Sequence, residues 1–317
     1  MENFRKIIKF GNSSFVLSLP IDWIKKNSLG KGDLVSISEN INNELVLSAS
    51  SKEKSVQRKE IVIDINNKDL SRIKREIVSA YLNSYGVIRI KGKISANLIE
   101  EIKTITKGLT ALEIVEQNPD SLIAKDFLDV GEITFQEILR KMDTITRSMI
   151  VDLKSIDKED LSKSIIARDE EVNRMVYLII RTMRFTLNTP SLSHKENRVS
   201  MGNILSIWDI ALTIESIADD VKRTAREFSK IKTSLQIKNE ILQVLEGIEH
   251  FYWESMKAYY TSDVELAFKL SLSKARLSDK CNELHEKFWD TKHAPIILEN
   301  FKSMISSIHN LGRRVYS

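Results

Sequence analysis

Apolar positions alternate with polar ones over short stretches at the start of the chain and recur every three to four residues over long stretches at its end. Two kinds of architecture are therefore expected in that order. Phe15, Leu17 and Leu19 fall on one side and Val16 and Ser18 on the other, the pattern of a half-buried strand. Pro20 follows where a helix can begin, because a first-turn residue needs no backbone N–H partner. Gly30 and Gly32 permit the positive φ of a tight turn after that helix, and Asn42-Asn43 permits another before residues 44–48. Residues 1–50 thus read as strand, Gly11-Asn12 turn, strand, short helix, glycine turn and hairpin. A unit of this size, about fifty residues, buries little apolar surface alone, so pairing with a second copy is expected.

Residues 48–59 are small, polar and charged without periodicity, and are expected to link this unit to the next. From Glu60 the pattern changes to a small α/β layer over 60–128: a strand with Ile61, Ile63 and Ile65, a helix over 68–85, a strand over 87–90, a helix over 95–109 and a strand over 110–116. No Gly-rich loop of nucleotide-binding type follows these strands, so the layer reads as a structural connector. Residues 132–317 are helical, with breaks near 156–158, 188–190, 229–234, 261–263 and 292–295. Ser193 stands three residues before Glu196, and Ser262 three before Glu265, as reciprocal caps require. The apolar stripe of the second helix is Leu161, Ile165, Val172, Val176, Ile179 and Met183; that of the third is Ile207, Ala211, Ile214, Ala218, Val221, Ala225 and Phe228. Six helices with short connections predict two antiparallel three-helix bundles in tandem, over 132–230 and 234–317.

The 317 residues carry 48 basic and 44 acidic side chains, a formal net charge of +4, so no global field argues for nucleic acid. A local one does. Over the first 31 residues Arg5, Lys6, Lys9, Lys25, Lys26 and Lys31 stand against Glu2 and Asp22, and a dimer would present that excess twice. The single cysteine, Cys281, excludes an intrachain disulfide and a multi-cysteine metal site, which fits a reducing compartment, and the cytoplasm is expected. No run of about eighteen apolar residues is present, and neither a signal peptide nor membrane insertion is expected.

Acidic residues offer the main candidate chemistry in the helices. Glu215 and Asp219 are four apart on one side of the third helix, where like charges repel by roughly 0.2–0.5 kcal/mol. Either a divalent or trivalent metal compensates them, or Lys222 and Arg223, three and four residues beyond Asp219, do so by salt bridging. The five histidines share no pairing at three or four residues, and none adjoins a nucleophile motif. Phe251, Tyr252, Trp253, Tyr259, Tyr260 and Trp208 have helical spacing and read as bundle core. No enzyme is expected.

The stretches Gly11-Asn-Ser-Ser-Phe-Val-Leu-Ser-Leu-Pro20 and Leu29-Gly-Lys-Gly-Asp-Leu-Val35 resemble the AbrB/SpoVT swapped-hairpin family, in which two chains interleave their hairpins into one small β-barrel that usually binds DNA. That resemblance implies a homodimer with Arg5, Lys6, Lys9, Asn12 and Ser13 facing DNA, the bland alternative being ordinary surface positions on a dimer clasp. Tyr81-Leu-Asn-Ser-Tyr-Gly-Val-Ile-Arg-Ile90 and Gly108-Leu-Thr-Ala-Leu-Glu-Ile114 look like the middle segment of archaeal AbrB–PhoU fusion proteins. Ala167-Arg-Asp-Glu-Glu-Val-Asn-Arg-Met175 followed by Glu215 and Asp219 is similar to the paired acidic motifs of the PhoU family, whose bundles hold iron or zinc. The implied ligands are Asp169, Asn173, Glu215 and Asp219, with Asn173 a weaker donor where an acid is usual. The second bundle departs from the pattern: Asp279 and Glu283 lie away from the stripe of Leu270, Leu277, Cys281, Leu284 and Phe288, and Ser306-Ser-Ile-His-Asn310 replaces an acidic pair.

The resemblance implies a multidomain α+β transcriptional regulator of phosphate uptake that binds DNA as a dimer and senses through its helices. The alternative is a PhoU-type adaptor that docks on a phosphate transporter ATPase or a sensor kinase without binding DNA. A carboxylate-metal hydrolase is the third reading, tested by activity in Glu215→Ala plus Asp219→Ala.

Overall fold

The computed structural model describes residues 4–39, 44–49, 59–156, 161–189, 194–197 and 199–316. The Asn42-Asn43 turn, most of the 48–59 link and the Ser193 cap lie outside them. The chain is a mixed α+β protein dominated by helix, and it divides into two compact units, Met1–Gln57 and Arg58–Ser317.

In the first unit β1 (Ile8–Phe10) and β2 (Ser14–Val16) form an antiparallel hairpin with Lys9 opposite Phe15. Gly11 takes φ 68° in its turn, a conformation a Cβ would strain. Helix α1 (Ile21–Lys26) follows Pro20, and β3 (Val35–Glu39) pairs antiparallel with β4 (Leu45–Ala49). These are two separate two-stranded sheets, and within the chain they do not close into a barrel.

The second unit begins with β5 (Glu60–Asp64), α2 (Leu70–Leu82), β6 (Val87–Lys91), α3 (Ala96–Lys107), β7 (Leu112–Asn118) and β8 (Ser121–Asp126). Asp69 and Ser95 cap the two helices through side-chain oxygens. The sheet order is β5-β6-β8-β7, parallel between β5 and β6 and antiparallel elsewhere. The sequence reading omitted β8, which is the strand beside β6; the expected strand over 110–116 is instead the edge partner of β8. Ile63, Ile88, Ile90, Leu122 and Ala124 face Ile73, Ile77, Ile102 and Ile105 of the helices in one apolar layer. Gly92 (φ 139°) passes so close to Ile65 that a Cβ would come within 2.7 Å of its Cγ1.

Six long helices follow among the described residues: α4 (Phe135–Leu153), α5 (Ser162–Asn188), α6 (Met201–Phe228), α7 (Leu235–Thr261), α8 (Val264–Lys287) and α9 (Ala294–Arg313). Thr134 and Glu137 form the capping box of α4. The cap of α8 is Asp263, not Ser262: Ser262 takes the left-handed conformation that ends α7, and Asp263 accepts from the Leu266 N–H. Helices α4, α5 and α6 pack on one another, as do α7, α8 and α9, and α6 lies against α9 so that both groups share one apolar core. The whole third-helix stripe is buried in that core. Trp253, expected inside, is 43% exposed beneath the Arg147 guanidinium.

Candidate functional site

Two sets of candidate residues stand in different units, and each is described separately. In the first unit Lys9 lies on β1, Asn12 and Ser13 form the hairpin turn, and Arg5 and Lys6 precede it, all exposed. Among the described residues Arg5, Lys6 and Lys9 have no acidic partner. Apolar side chains of the same unit are exposed: Phe10 and Phe15, next to and opposite Lys9, at 70% and 69%, and Ile37 of β3 in the other hairpin at 62%. No described residue of this unit is buried. The hairpin therefore presents cations on a scaffold in which Phe10, Phe15 and Ile37 stay largely exposed while Trp23, Ile24 and Leu47 are only half-buried.

In the second unit α5 and α6 bring Asp169, Glu215 and Asp219 toward one another, and the centre of the group is Lys222. Its Nζ donates to Asp169 Oδ2 at 2.7 Å and reaches Asp219 Oδ1 at 2.5 Å. Arg223 holds the other Asp219 oxygen at 2.5 Å, and the Asn173 Nδ2 donates to Asp169 Oδ2 at 3.2 Å. Burial opposes the Lys222 ammonium, but hydrogen bonds and charge from Asp169 and Asp219 outweigh it, and its pKa lies above the ordinary lysine value. Glu215 is left without such a contact. Burial, then the Asp219 and Asp169 charges, raise its pKa against the opposing influence of Lys222 and Arg223.

Three of the four implied ligands already have partners in this geometry. Asn173 turns a donor rather than an oxygen toward Asp169, and an ammonium already neutralises the carboxylates on both helices. Among the described residues no three His, Cys, Asp or Glu side chains are grouped to hold a metal ion. As folded, these side chains hold an internal cation, the Lys222 ammonium. The intrahelical salt bridges from Lys222 and Arg223 to Asp219 were legible in their spacing; the cross-helix reach of Lys222 to Asp169 was not.

A further polar cluster was absent from the sequence reading. Arg181 of α5 is 2% exposed and pairs with Asp126 at the end of β8, while its guanidinium lies 4.4 Å from the ring centroid of Tyr81 on α2. The Tyr81 hydroxyl donates to the Thr110 carbonyl at 3.1 Å, and Asp126 also accepts from the Leu128 N–H at 3.1 Å. The cluster ties the α/β layer to α5 of the first bundle. The only local signal was an arginine at an otherwise apolar phase of α5. Among the described residues no helix is long and apolar enough to cross a membrane.

No family model, curated protein or solved structure matches the chain.

Proposed function

We propose that the chain is a DNA-tethered regulator in which two copies of the first unit complete one another's core and present their cations to the phosphate backbone, with the helical part as the sensor. The observation that carries this reading is the first unit itself: it exposes Phe10, Phe15 and Ile37, buries no described residue, and sets Lys9 between Ile8 and Phe10 and opposite Phe15, with Arg5 and Lys6 just before it. A second copy supplies the missing core, which supports closure of the open hairpins into a swapped barrel. Asn12 and Ser13 at the turn add neutral hydrogen-bonding groups where a backbone phosphate would lie. Control of phosphate uptake rests on the AbrB–PhoU resemblance alone.

DNA binding titrated with salt tests the proposal. Three cations from each copy give six phosphate contacts, so affinity should fall on the order of 10³-fold between about 50 and about 200 mM salt. Replacing Arg5 and Lys9 by Ala should weaken binding uniformly across sequences and flatten that slope. A chain beginning at Glu60 should not bind. Salt-insensitive binding, or equal binding by the shortened chain, would remove the hairpin from the interface.

One observation favours docking on a transporter ATPase or sensor kinase as the second reading. Leu272 on α8 and Trp289 just beyond it are 76% and 73% exposed on the second bundle. That reading predicts no DNA binding from either chain.

A further inference from the structure

A cleft of about 430 Å³ opens between α2 and α5 in the second unit. Lys74, Arg75 and Arg184 line it, together with Val78, Leu82 and Tyr177, and no carboxylate does. The neighbouring cations at and just before the start of α2 are treated differently: Glu76 pairs with both Lys68, at 2.6 Å, and Arg72, at 3.1 Å. Lys74 and Arg75, two residues and one residue before Glu76, have no acidic partner among the described residues, and Arg184 makes only a neutral contact, 3.0 Å from the Asn83 side-chain oxygen. Three cations thus converge on a concavity of small-ligand size beside an apolar and aromatic wall.

We propose that this cleft binds a phosphorylated small molecule of nucleotide size, with its phosphates on Lys74, Arg75 and Arg184 and its ring on Tyr177, Val78 and Leu82. A phosphate group carries about two negative charges and accepts charge-assisted hydrogen bonds, and guanidinium groups match its oxygens in pairs. The half-buried Tyr177 lines the cleft and offers its ring to a base, and the two half-buried aliphatic side chains continue that surface. The cleft deepens the regulator reading by giving the sensor a ligand class, and it rests on that reading only for its regulatory meaning. An occupant would touch α2 and α5 at once, and α5 is the helix that also carries Asp169 and Arg181.

Isothermal titration of the full-length protein with ADP, adenosine and inorganic phosphate tests the assignment. ADP should bind, adenosine should give no measurable binding up to about 1 mM, and inorganic phosphate should bind at least tenfold more weakly than ADP because it leaves the apolar wall unused. Lys74→Ala with Arg75→Ala, and separately Arg184→Gln, should each weaken ADP at least tenfold while helical content stays constant by circular dichroism. Absence of ADP binding, or affinity unchanged in both variants, would overturn the site; phosphate binding as tightly as ADP would overturn the nucleotide-sized occupant. Arg5→Ala with Lys9→Ala should leave ADP affinity unchanged. ADP binding by a protein that does not bind DNA would leave the cleft standing and sink the DNA-tethered reading, and DNA binding without ADP binding would do the reverse.

Discussion

The two units use the same kinds of apolar residue to opposite effect. In the helical part Ile214, Val221, Ile248 and Phe301 are completely buried in one continuous core. In the first unit Phe10, Phe15 and Ile37 remain largely exposed, although their hairpins are regular and their registers clean. The difference lies in how much chain can fold over each apolar face. Twenty-residue helices in threes cover one another, whereas a two-stranded sheet covers nothing and is marginal in water by itself. The helices therefore carry the core, and the exposed hairpins are the surface that the proposed second copy would cover.

The sharpest way to break this contrast is a truncation in each unit. Phe301→Ala in the shared core should lower unfolding stability by about 3–5 kcal/mol in urea titration. Phe15→Ala should leave the helical unfolding transition in place and weaken self-association instead. Equal losses from the two substitutions would mean that the first unit carries a core of its own.

The junction of sheet and helix supplies an effect of similar size. Asp126→Ala leaves the Arg181 charge buried without its carboxylate, which should cost about 3–5 kcal/mol. Asp126→Leu combined with Arg181→Met should recover most of that loss, measured in the same titration. Lys222→Met is expected to cost less, roughly 2–3 kcal/mol, because Asn173 and Arg223 still contact the stranded carboxylates.

The smallest effect is a dependence on pH. Glu215 has a folded-state pKa above its unfolded value, so the folded chain holds its proton more tightly. Its favourable contribution is complete below the ordinary glutamate pKa and is lost as pH rises through the raised one. Glu215→Gln should therefore flatten the decline of stability over that window, and a profile identical to the parent would place the slope on other groups, such as Asp220, whose pKa burial also raises.

Much of this architecture was legible because helical spacing repeats many times in 132–317, so single exceptions do not obscure it. The entire stripe from Ile207 to Phe228 proved buried. Strand β8 escaped because Ser-Leu-Ile-Ala-Lys-Asp is short and its alternation weak; the usable signal was Pro119-Asp120, which forms the two-residue turn between paired Asn118 and Ser121. The acid group was readable along one helix, since Lys222 and Arg223 follow Asp219 at helical spacing. What joins it to Asp169 lies 53 residues away and depends on how α5 and α6 meet. Arg181 and Asp126, 55 residues apart, are hidden for the same reason.

The central claim is that the first unit is half of a core that a second copy completes. Light scattering after size exclusion, on the full chain and on a chain beginning at Glu60, measures it directly. The account predicts twice 36.4 kDa for the full chain and a monomer for the shortened one. A monomeric full chain, or a dimer that survives loss of the first unit, would contradict it.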